Sequence, residues 1–263
     1  MPGFVPWVGG KARLAATIIS KMPPHKSYIE VFGGGGWVLF NKPKIKTEIY
    51  NDINGDLVNL FRIVRDREAQ FVHRQYFLLS SRQEYAAFRE AWRLCRPKDD
   101  IDRAIMLYYL LKNSFGANIT SGWGYGRQDA PSYPGCLAGL PVIRERLSGV
   151  YIENHGFEKC IATWDQADAL FYLDPPYMGT EFYYKKGGAS FGLAEHEQLR
   201  DVLKALKGKF ILSYEDHPGI RKLYKGFKIE SLGTLKRSLN NLPTGGKEAT
   251  EILIRNFQLD SDL

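Results

Sequence analysis

Cysteine is scarce in this sequence: Cys95, Cys136 and Cys160 are the only three, and they form neither a C-x-x-C motif nor a Cys/His zinc pattern. This spacing excludes a disulfide framework and predicts reduced thiols inside a cell. Long apolar runs are absent too, because the longest, around "AIMLYYLL", is far shorter than a membrane span. The N-terminus also lacks the basic and apolar regions of a signal peptide, so we expect a cytoplasmic protein.

Two common nucleotide-binding motifs are missing as well. The glycine run Gly33–Gly36 is followed directly by Trp37, so it does not complete the dinucleotide fingerprint G-x-G-x-x-G. No Gly-Lys-Ser or Gly-Lys-Thr follows the run, which excludes a P-loop phosphotransferase.

The remaining composition is that of an ordinary globular protein. The chain has 263 residues, of which 44% are hydrophobic and 25% charged, enough for one large α/β domain or a core domain with an insertion. The formal net charge is +7 and the pI about 9.2. This basic excess suits a polyanionic partner, although proteins without such a partner also carry it.

Apolar runs of strand length alternate with helical stretches, a pattern typical of a parallel sheet covered on both faces. Tyr28–Val31 is the first run, and "TEIYN", "ALFYL" and "GKFILSY" follow it. The last two runs, "GFKIESL" and "TEILIRNF", are predicted to form an antiparallel edge. We therefore expect an α/β fold with a Rossmann-like, mostly parallel sheet and an antiparallel edge strand.

The middle of the chain has long helical periodicity in place of short apolar runs. We predict that residues 57–149 form a helical insert between two parts of a core domain, 1–56 and 150–263. A loop or hairpin rich in Gly, Ser and aromatic residues is expected near 116–135, within "GANITSGWGYGRQDAPSYPG".

The glycine loop after the first strand allows two interpretations. Because Gly33–Gly36 lack Cβ atoms, their backbone can approach a ligand closely or form a tight structural turn. An acid at the tip of the next strand could then bind the hydroxyls of a ribose, and Asp52 is placed for that role. From these residues alone, a nucleoside site and a structural turn with an exposed Asp are equally compatible with the pattern.

A second polar cluster follows the buried run "ALFYL", at the edge where ligands bind to open parallel sheets. Pro175 and Pro176 stiffen this segment. The Asp174 carboxylate and the Pro175 carbonyl are therefore two acceptors at a fixed separation, and Tyr177 offers a flat ring. An amino group on a planar heterocycle needs two acceptors for its N–H bonds and a ring on which to stack. Such acceptors would also draw the N–H bonds out of the ring plane and so return the delocalised lone pair to the nitrogen. The amine could then react without a residue that bonds covalently to the substrate.

These motifs together resemble the class-α adenine-N6 DNA methyltransferases, which include the DNA adenine methyltransferases of bacteria and their phages. "PWVGGKARL" is similar to the N-terminal cofactor motif of that family, "YIEVFGGGGWVLF" to its glycine motif, "NDIN" to its ribose motif and "LDPPY" to its catalytic motif. "FILSYED" and "TEILIRNF" resemble later motifs, and the order is that of the class. The resemblance implies a class I methyltransferase fold, S-adenosylmethionine as methyl donor without a metal, and methylation of the adenine N6 amino group in a short DNA sequence.

The resemblance also implies roles for individual residues. The catalytic residues are Asp174, Pro175 and Tyr177. The cofactor-binding residues are Trp7, Lys11, Phe32, Gly33, Gly35, Asp52, Phe157 and Asp174. Taken singly, the lysine could be a solvated surface charge and the tryptophan a packing residue. The sequence departs from the family at Gly156, where an acid is common before the Phe of "IENHGFEKCI", so a carboxylate contact from residue 156 to the adenine of the cofactor is not expected.

Double-stranded DNA is the partner that the resemblance implies, with the target adenine flipped out of the duplex. It places a DNA-reading hairpin in the Gly and aromatic loop, where the candidates are Asn118, Ser121, Trp123, Tyr125 and Arg127. Most arginines of the insert are expected to be solvated and paired with Asp or Glu. We expect a monomer or a weak dimer on DNA, in a bacterium or a phage-infected cell, either linked to a restriction enzyme or acting without one.

Other functions stay open at this point. N4-cytosine methylation of DNA and N6-adenine methylation of RNA pose the same chemical problem, and a decayed methyltransferase scaffold could serve as a DNA-binding module. Leu173 before the DPPY motif and the motif order favour adenine in DNA, and the intact Asp52, Asp174 and Tyr177 argue against decay. The sequence argues against a C5-cytosine enzyme, because none of the three cysteines lies in the Pro-Cys setting of the nucleophile of such enzymes.

Overall fold

The computed structural model describes residues 4–7, 9–119, 122–124, 133–178, 191–236 and 248–259. Contacts between residues divide the chain into two compact units. The first unit comprises residues 1–16, 34–44 and 54–154, and the second comprises residues 17–33, 45–53 and 155–263. The predicted insert falls within the first unit, which also holds two segments from outside it; the domain boundaries drawn from the sequence stay a prediction.

The second unit is built on a mixed sheet. Its strands are β1 (Ser27–Glu30), β2 (Thr47–Asn51), β4 (Ala169–Leu173), β5 (Lys209–Glu215), β6 (Lys228–Lys236) and β7 (Glu248–Arg255). They lie in the order β2-β1-β4-β5-β7-β6; the first four are parallel, and β7 is antiparallel to both of its neighbours. The predicted α/β fold with an antiparallel edge is confirmed, with β7 as the reversed strand and β6 beyond it.

The parallel strands are apolar because both faces of the sheet are covered. Every residue of β4 is buried, and all but the first residue of β1 and of β2 are buried too. The same unit contains the helices α8 (Phe157–Trp164), α9 (Leu193–Lys204) and α10 (Pro218–Leu223). Ile161, Leu199 and Ile220 from these helices join the strand residues in one hydrophobic core.

The register of the parallel strands decides which side chains meet at their ends. Ile29 of β1 pairs with Ile49 of β2 and with Phe171 of β4. The carboxyl ends of these strands therefore lie at one edge of the sheet, where the chain continues to Asp52 after β2 and to Asp174 after β4.

The first unit is mainly helical. Its elements are α2 (Trp37–Asn41), α3 (Gly55–Arg74), α4 (Arg82–Leu94), α5 (Asp100–Asn113), α6 (Tyr133–Ala138), α7 (Leu140–Leu147) and the short strand β3 (Tyr151–Glu153), while α1 (Ala15–Ser20) spans the sequence boundary of the units. The Asp99 carboxylate caps α5 by accepting from the backbone N–H groups of Ile101 and Asp102, as its acid-rich start predicts. Within the described residues, no helix has both the length and the apolar character that crossing a membrane requires.

The chain reverses direction after α5. A short 3-10 turn (Phe115–Ala117) follows the helix, and Ser114 and Trp123 then form an antiparallel bridge. The backbone N–H of Phe115 donates to the carbonyl of Gly122 at 3.0 Å. These contacts form the base of the predicted hairpin, whose residues 120–121 and 125–132 lie outside the described part of the chain.

Candidate active site

The carboxylate of Asp174 lies directly after β4 and is held from the neighbouring strand β5. The hydroxyl of Ser213 donates to Asp174 Oδ1 at 2.9 Å, a shorter contact than its 3.3 Å to the carbonyl of Leu173. The phenol oxygen of Tyr172 lies 3.1 Å from Ser213 Oγ. A carboxylate oxygen accepts hydrogen bonds, so the hydroxyl of Ser213 donates to Asp174 and the hydroxyl of Tyr172 donates to Ser213. This relay orients the carboxylate.

Tyr172 is suited to the donor end of this relay. Burial, and then the charge of Asp174, raise the pKa of Tyr172 well above its ordinary value, so its hydroxyl keeps its proton. Sequence reasoning missed Ser213 as a member of the site. The available signal was a serine near the end of an apolar strand, and only the pairing of Leu173 with Leu212 brings that serine beside Asp174.

Tyr177 is fixed by a second strand. Its hydroxyl donates to Glu251 Oε2 on β7 at 2.8 Å, and its ring centroid lies 5.7 Å from that of Tyr214, with 43° between the planes. Burial, followed by the charges of Asp174 and Glu251, raises the pKa of Tyr177 well above its ordinary value. Tyr177 is therefore a neutral phenol that donates a hydrogen bond and cannot serve as a base. Pro175, between the two predicted catalytic side chains, is buried.

The glycine loop begins with a turn that only glycine can occupy. The backbone N–H of Gly33 donates to the carbonyl of Asn51 at 2.8 Å, and a Cβ at position 33 would lie 2.2 Å from the ring of Tyr50. The close neighbour of Gly33 is thus a side chain of β2, which supports the structural-turn interpretation at this position. Asp52 is partly buried and directly follows Asn51, whose carbonyl accepts the hydrogen bond of the turn. Burial and then the charge of Asp52 raise the pKa of Tyr50.

Asn51 is a further residue that sequence reasoning missed. Its side-chain amide donates to the carbonyls of Val31 and His155 at 2.9 and 3.0 Å, and its Oδ1 accepts from the His155 N–H at 2.9 Å. This one buried amide ties the end of β1 to the segment that enters α8. It therefore sets the position of the loop that precedes Phe157.

Aromatic rings line the region after β1. Phe32 stacks against Phe157 with centroids 5.9 Å apart and 29° between the planes, and Phe191 meets both rings edge-on. Gly156 caps α8 without a side-chain hydrogen bond, and a Cβ there would lie 3.2 Å from the carboxylate of Glu158. The structure thus places an acid close to position 156, although residue 156 itself provides none.

The N-terminal motif belongs to the first unit. Lys11 is 7% exposed and donates from Nζ to the carbonyl of Gly9 at 3.1 Å, so it is not a solvated surface charge. Trp7 packs on the glycine loop: Gly34 has a φ of +49°, and a Cβ there would lie 2.9 Å from the indole Cδ1. At Gly35 a Cβ would meet the carbonyl of Val5 at 2.9 Å. This close packing accounts for both glycines.

The predicted DNA-binding residues are described only in part, since Ser121, Tyr125 and Arg127 lie outside the described residues. Trp123 packs edge-to-face on Tyr85, with centroids 5.5 Å apart and 73° between the planes. Asn118 donates its backbone N–H to the carbonyl of Phe115 at 3.4 Å. The indole of Trp123 thus contributes to the base of the hairpin.

Most arginines of the insert have partners within the first unit, as mixed charge predicts. The acidic partners are Asp66 for Arg65, Asp100 for Arg67, Asp99 and Asp102 for Arg74, Glu90 for Arg93, Asp56 for Arg96, and Asp56 and Asp100 for Arg103. The guanidinium of Arg62 donates to the carbonyl of Ile152 at 2.9 Å. Such contacts support the packing of the helices in the first unit.

Comparison with known proteins agrees with the motifs and the fold. Residues 7–237 match the model of the D12 class N6 adenine-specific DNA methyltransferase family. A type II methyltransferase of Lactococcus lactis subsp. cremoris is 28% identical over 97% of this chain and 95% of its own length. The DNA adenine methylases of Escherichia coli and Haemophilus influenzae are each 26% identical over 95% of this chain and over 93% and 92% of theirs. Among the described residues, no group of three or more His, Cys, Asp or Glu could hold a metal ion. This chain belongs to the D12 class of N6 adenine-specific DNA methyltransferases and is an enzyme that methylates adenine in DNA.

Proposed function

We propose that the enzyme uses S-adenosylmethionine to methylate the N6 amino group of an adenine flipped out of duplex DNA. The observation that carries the proposal is the pair of side chains after β4. Asp174 is oriented through Ser213, and Tyr177, three residues further along the same segment, is held by its hydrogen bond to Glu251. A carboxylate and a flat ring at the end of a parallel strand suit an exocyclic amine on a purine.

The residues after β1 and β2 fit an adenosine. Phe32 and Phe157 offer an aromatic wall for a planar base, and the carboxylate of Asp52 offers acceptors for ribose hydroxyls. When bound, S-adenosylmethionine supplies a methyl group carried on a positively charged sulfur. By resemblance, the remaining cofactor-binding residues are Trp7, Lys11, Gly33, Gly35 and Asp174. Isothermal titration of single variants with the cofactor tests each assignment.

The catalytic step requires a more nucleophilic amine. The Asp174 carboxylate and the Pro175 carbonyl accept the two N–H bonds of adenine N6 and draw them out of the ring plane, so the lone pair returns to the nitrogen. The amine held in this way would attack the methyl carbon of the donor directly, without a covalent enzyme intermediate. The bond between that carbon and the sulfur would break, its electron pair would stay on the sulfur as the neutral thioether leaves, and the proton lost by the nitrogen would pass to Asp174. Tyr177 keeps the base in place by stacking.

DNA must present the adenine outside the helix. Extrusion of a base costs a few kcal/mol, and stacking on an aromatic ring returns about 1–3 kcal/mol. We assign the stacking to Tyr177 and the reading of neighbouring bases to the hairpin residues Asn118, Ser121, Trp123, Tyr125 and Arg127. These contacts would be made by a monomer or a weak dimer on DNA.

Nucleoside analysis tests the proposal. The protein is incubated with unmethylated DNA and S-adenosylmethionine, the DNA is digested to nucleosides, and the products are identified by mass spectrometry. We expect N6-methyldeoxyadenosine that depends on the cofactor. N4-methyldeoxycytidine in its place would establish the cytosine alternative, methylation of RNA alone would establish the RNA alternative, and DNA binding without transfer would indicate a decayed scaffold.

A further inference from the structure

We propose that Glu251 is a positioning residue, which holds the ring of Tyr177 in the orientation needed to stack on the extruded base. The inference rests on the proposed function, because it deepens the role of Tyr177 in that same site. It concerns a residue of "TEILIRNF", which lies 74 positions further along the chain than Tyr177.

The contact is made possible by the strand order. Tyr177 follows β4, whereas Glu251 lies in β7, and β5 lies between these two strands. Glu251 pairs with Glu215 at the last position of β5, so its side chain is at the same end of the sheet as the segment after β4. From there its carboxylate accepts from the Tyr177 hydroxyl at 2.8 Å.

A stacking ring needs two restraints, one on its position and one on its rotation. The contact with Tyr214, at 5.7 Å between centroids and 43° between planes, restrains the position of the ring. The hydrogen bond to Glu251 holds the far end of the phenol and restrains its swing about the side-chain bonds. An aromatic group held in this way loses little further freedom when a base stacks on it, so more of the stacking energy remains for extrusion.

Chemistry fixes the direction of this hydrogen bond. The hydroxyl of the partly buried Tyr177 is the donor and Glu251 Oε2 is the acceptor, since a phenol carries a proton and a carboxylate oxygen accepts. A glutamine at this position keeps an acceptor oxygen, whereas an alanine removes it. The pair therefore offers a conservative and a disruptive variant of the same contact.

A double-mutant cycle tests the coupling by steady-state transfer of a labelled methyl group to unmethylated DNA. We expect Glu251→Ala and Tyr177→Phe each to lower kcat by about tenfold or more, because a hydrogen bond to a charged group contributes about 1.5–3 kcal/mol. The double variant should be no slower than either single variant, because one bond is lost in all three. Glu251→Gln should stay within about threefold of the unchanged protein, and the KM for S-adenosylmethionine should not change in any variant.

Glu230→Gln serves as the matched control, since Glu230 is a sheet glutamate that pairs with Lys21 and Arg255 and not with the catalytic segment. We expect it to leave kcat unchanged. If the double variant were slower by the product of the two single effects, Glu251 and Tyr177 would act independently and the inference would be wrong.

The activity of the unchanged protein distinguishes failure of the proposed function from failure of the positioning role. If it forms no N6-methyladenine, the proposed function fails; if it is active and Glu251→Ala is equally active, only the positioning role fails. Should Glu251→Ala not fold, Glu251→Gln is compared with and without Tyr177→Phe. Its small effect on kcat should then vanish when the phenol hydroxyl is absent, and an effect that persists would overturn the inference.

Discussion

The end of the sheet in the second unit and the helices of the first unit use polar side chains in opposite ways. After β4, Asp174 and Tyr177 each have a partner from another strand, which fixes the orientation of one functional group. On the helices, Arg74 contacts two carboxylates, Asp99 and Asp102, that are close to it on the surface. The insert has many more charges, yet the sheet edge has the more specific arrangement. A site is therefore located by how its groups are oriented and not by how many charges a region contains.

Replacing Asp174 by alanine should give the largest effect. The side chain contacts the reacting amine in the proposed mechanism, so we expect kcat to fall by a factor on the order of 10³. Cofactor binding, measured by titration calorimetry, should be partly retained. Asp102→Ala, which removes a helix carboxylate of the first unit, should leave turnover unchanged. Normal turnover by Asp174→Ala would refute the catalytic assignment and remove the contrast between the two regions.

The hairpin arginine should differ from the paired arginines of the insert. If Arg127 reads a base, its replacement by alanine should weaken DNA binding by about 1–3 kcal/mol or relax the sequence preference. Arg96 is already paired with Asp56, so Arg96→Ala should change DNA affinity by less than a factor of about two. Fluorescence anisotropy at several salt concentrations measures both. Equal losses for the two variants would mean that the insert binds phosphate through its helices.

An added methyl group distinguishes a glycine that is packed against a ring from a glycine with open space around it. Gly33→Ala brings a Cβ to 2.2 Å from the ring of Tyr50, so the turn or the ring must move. We expect the free energy of unfolding to fall by about 1–3 kcal/mol. Gly122→Ala is the control, because a Cβ there would have no atom of the described residues within 4 Å. Urea unfolding followed by circular dichroism compares them, and equal stability would show that the Gly33 turn can adapt.

The smallest expected effect is on the pH dependence of stability, and one carboxyl in each unit should contribute to it in the same direction. Hydrogen bonds from Arg65 and Arg221 lower the pKa of Asp66 in the first unit and of Asp216 in the second. A carboxyl whose pKa is lower in the folded state stabilises the protein above its unfolded pKa of about 3.9, and the effect is lost as the pH falls through the folded value. Asp66→Asn and Asp216→Asn should each make the thermal midpoint slightly less dependent on acid. A steeper acid dependence in either variant would contradict this sign.

Local physical chemistry explains what could be predicted from the sequence. The all-apolar β4 follows from a strand with both faces covered, and the start of α5 follows from an acid that caps the helix through its own backbone. The motif after β4 could be read in the same way, because two prolines stiffen the residues next to them. Each of these features depends on residues that are close together in the chain, so the sequence alone is enough to predict it.

Tertiary structure alone decided which partner each group has. Ser213 and Glu251 lie on strands that meet Asp174 and Tyr177 only because β5 and β7 follow β4 in the sheet. The same holds for Gly33, where the ring of Tyr50 from another strand is the observed reason for a glycine. The sequence by itself determined which chemical groups are present and how stiffly each is held by its own segment. Their orientation came from side chains distant in the chain, because hydrogen bonds and close packing act over a few ångströms of space, whatever the separation along the backbone.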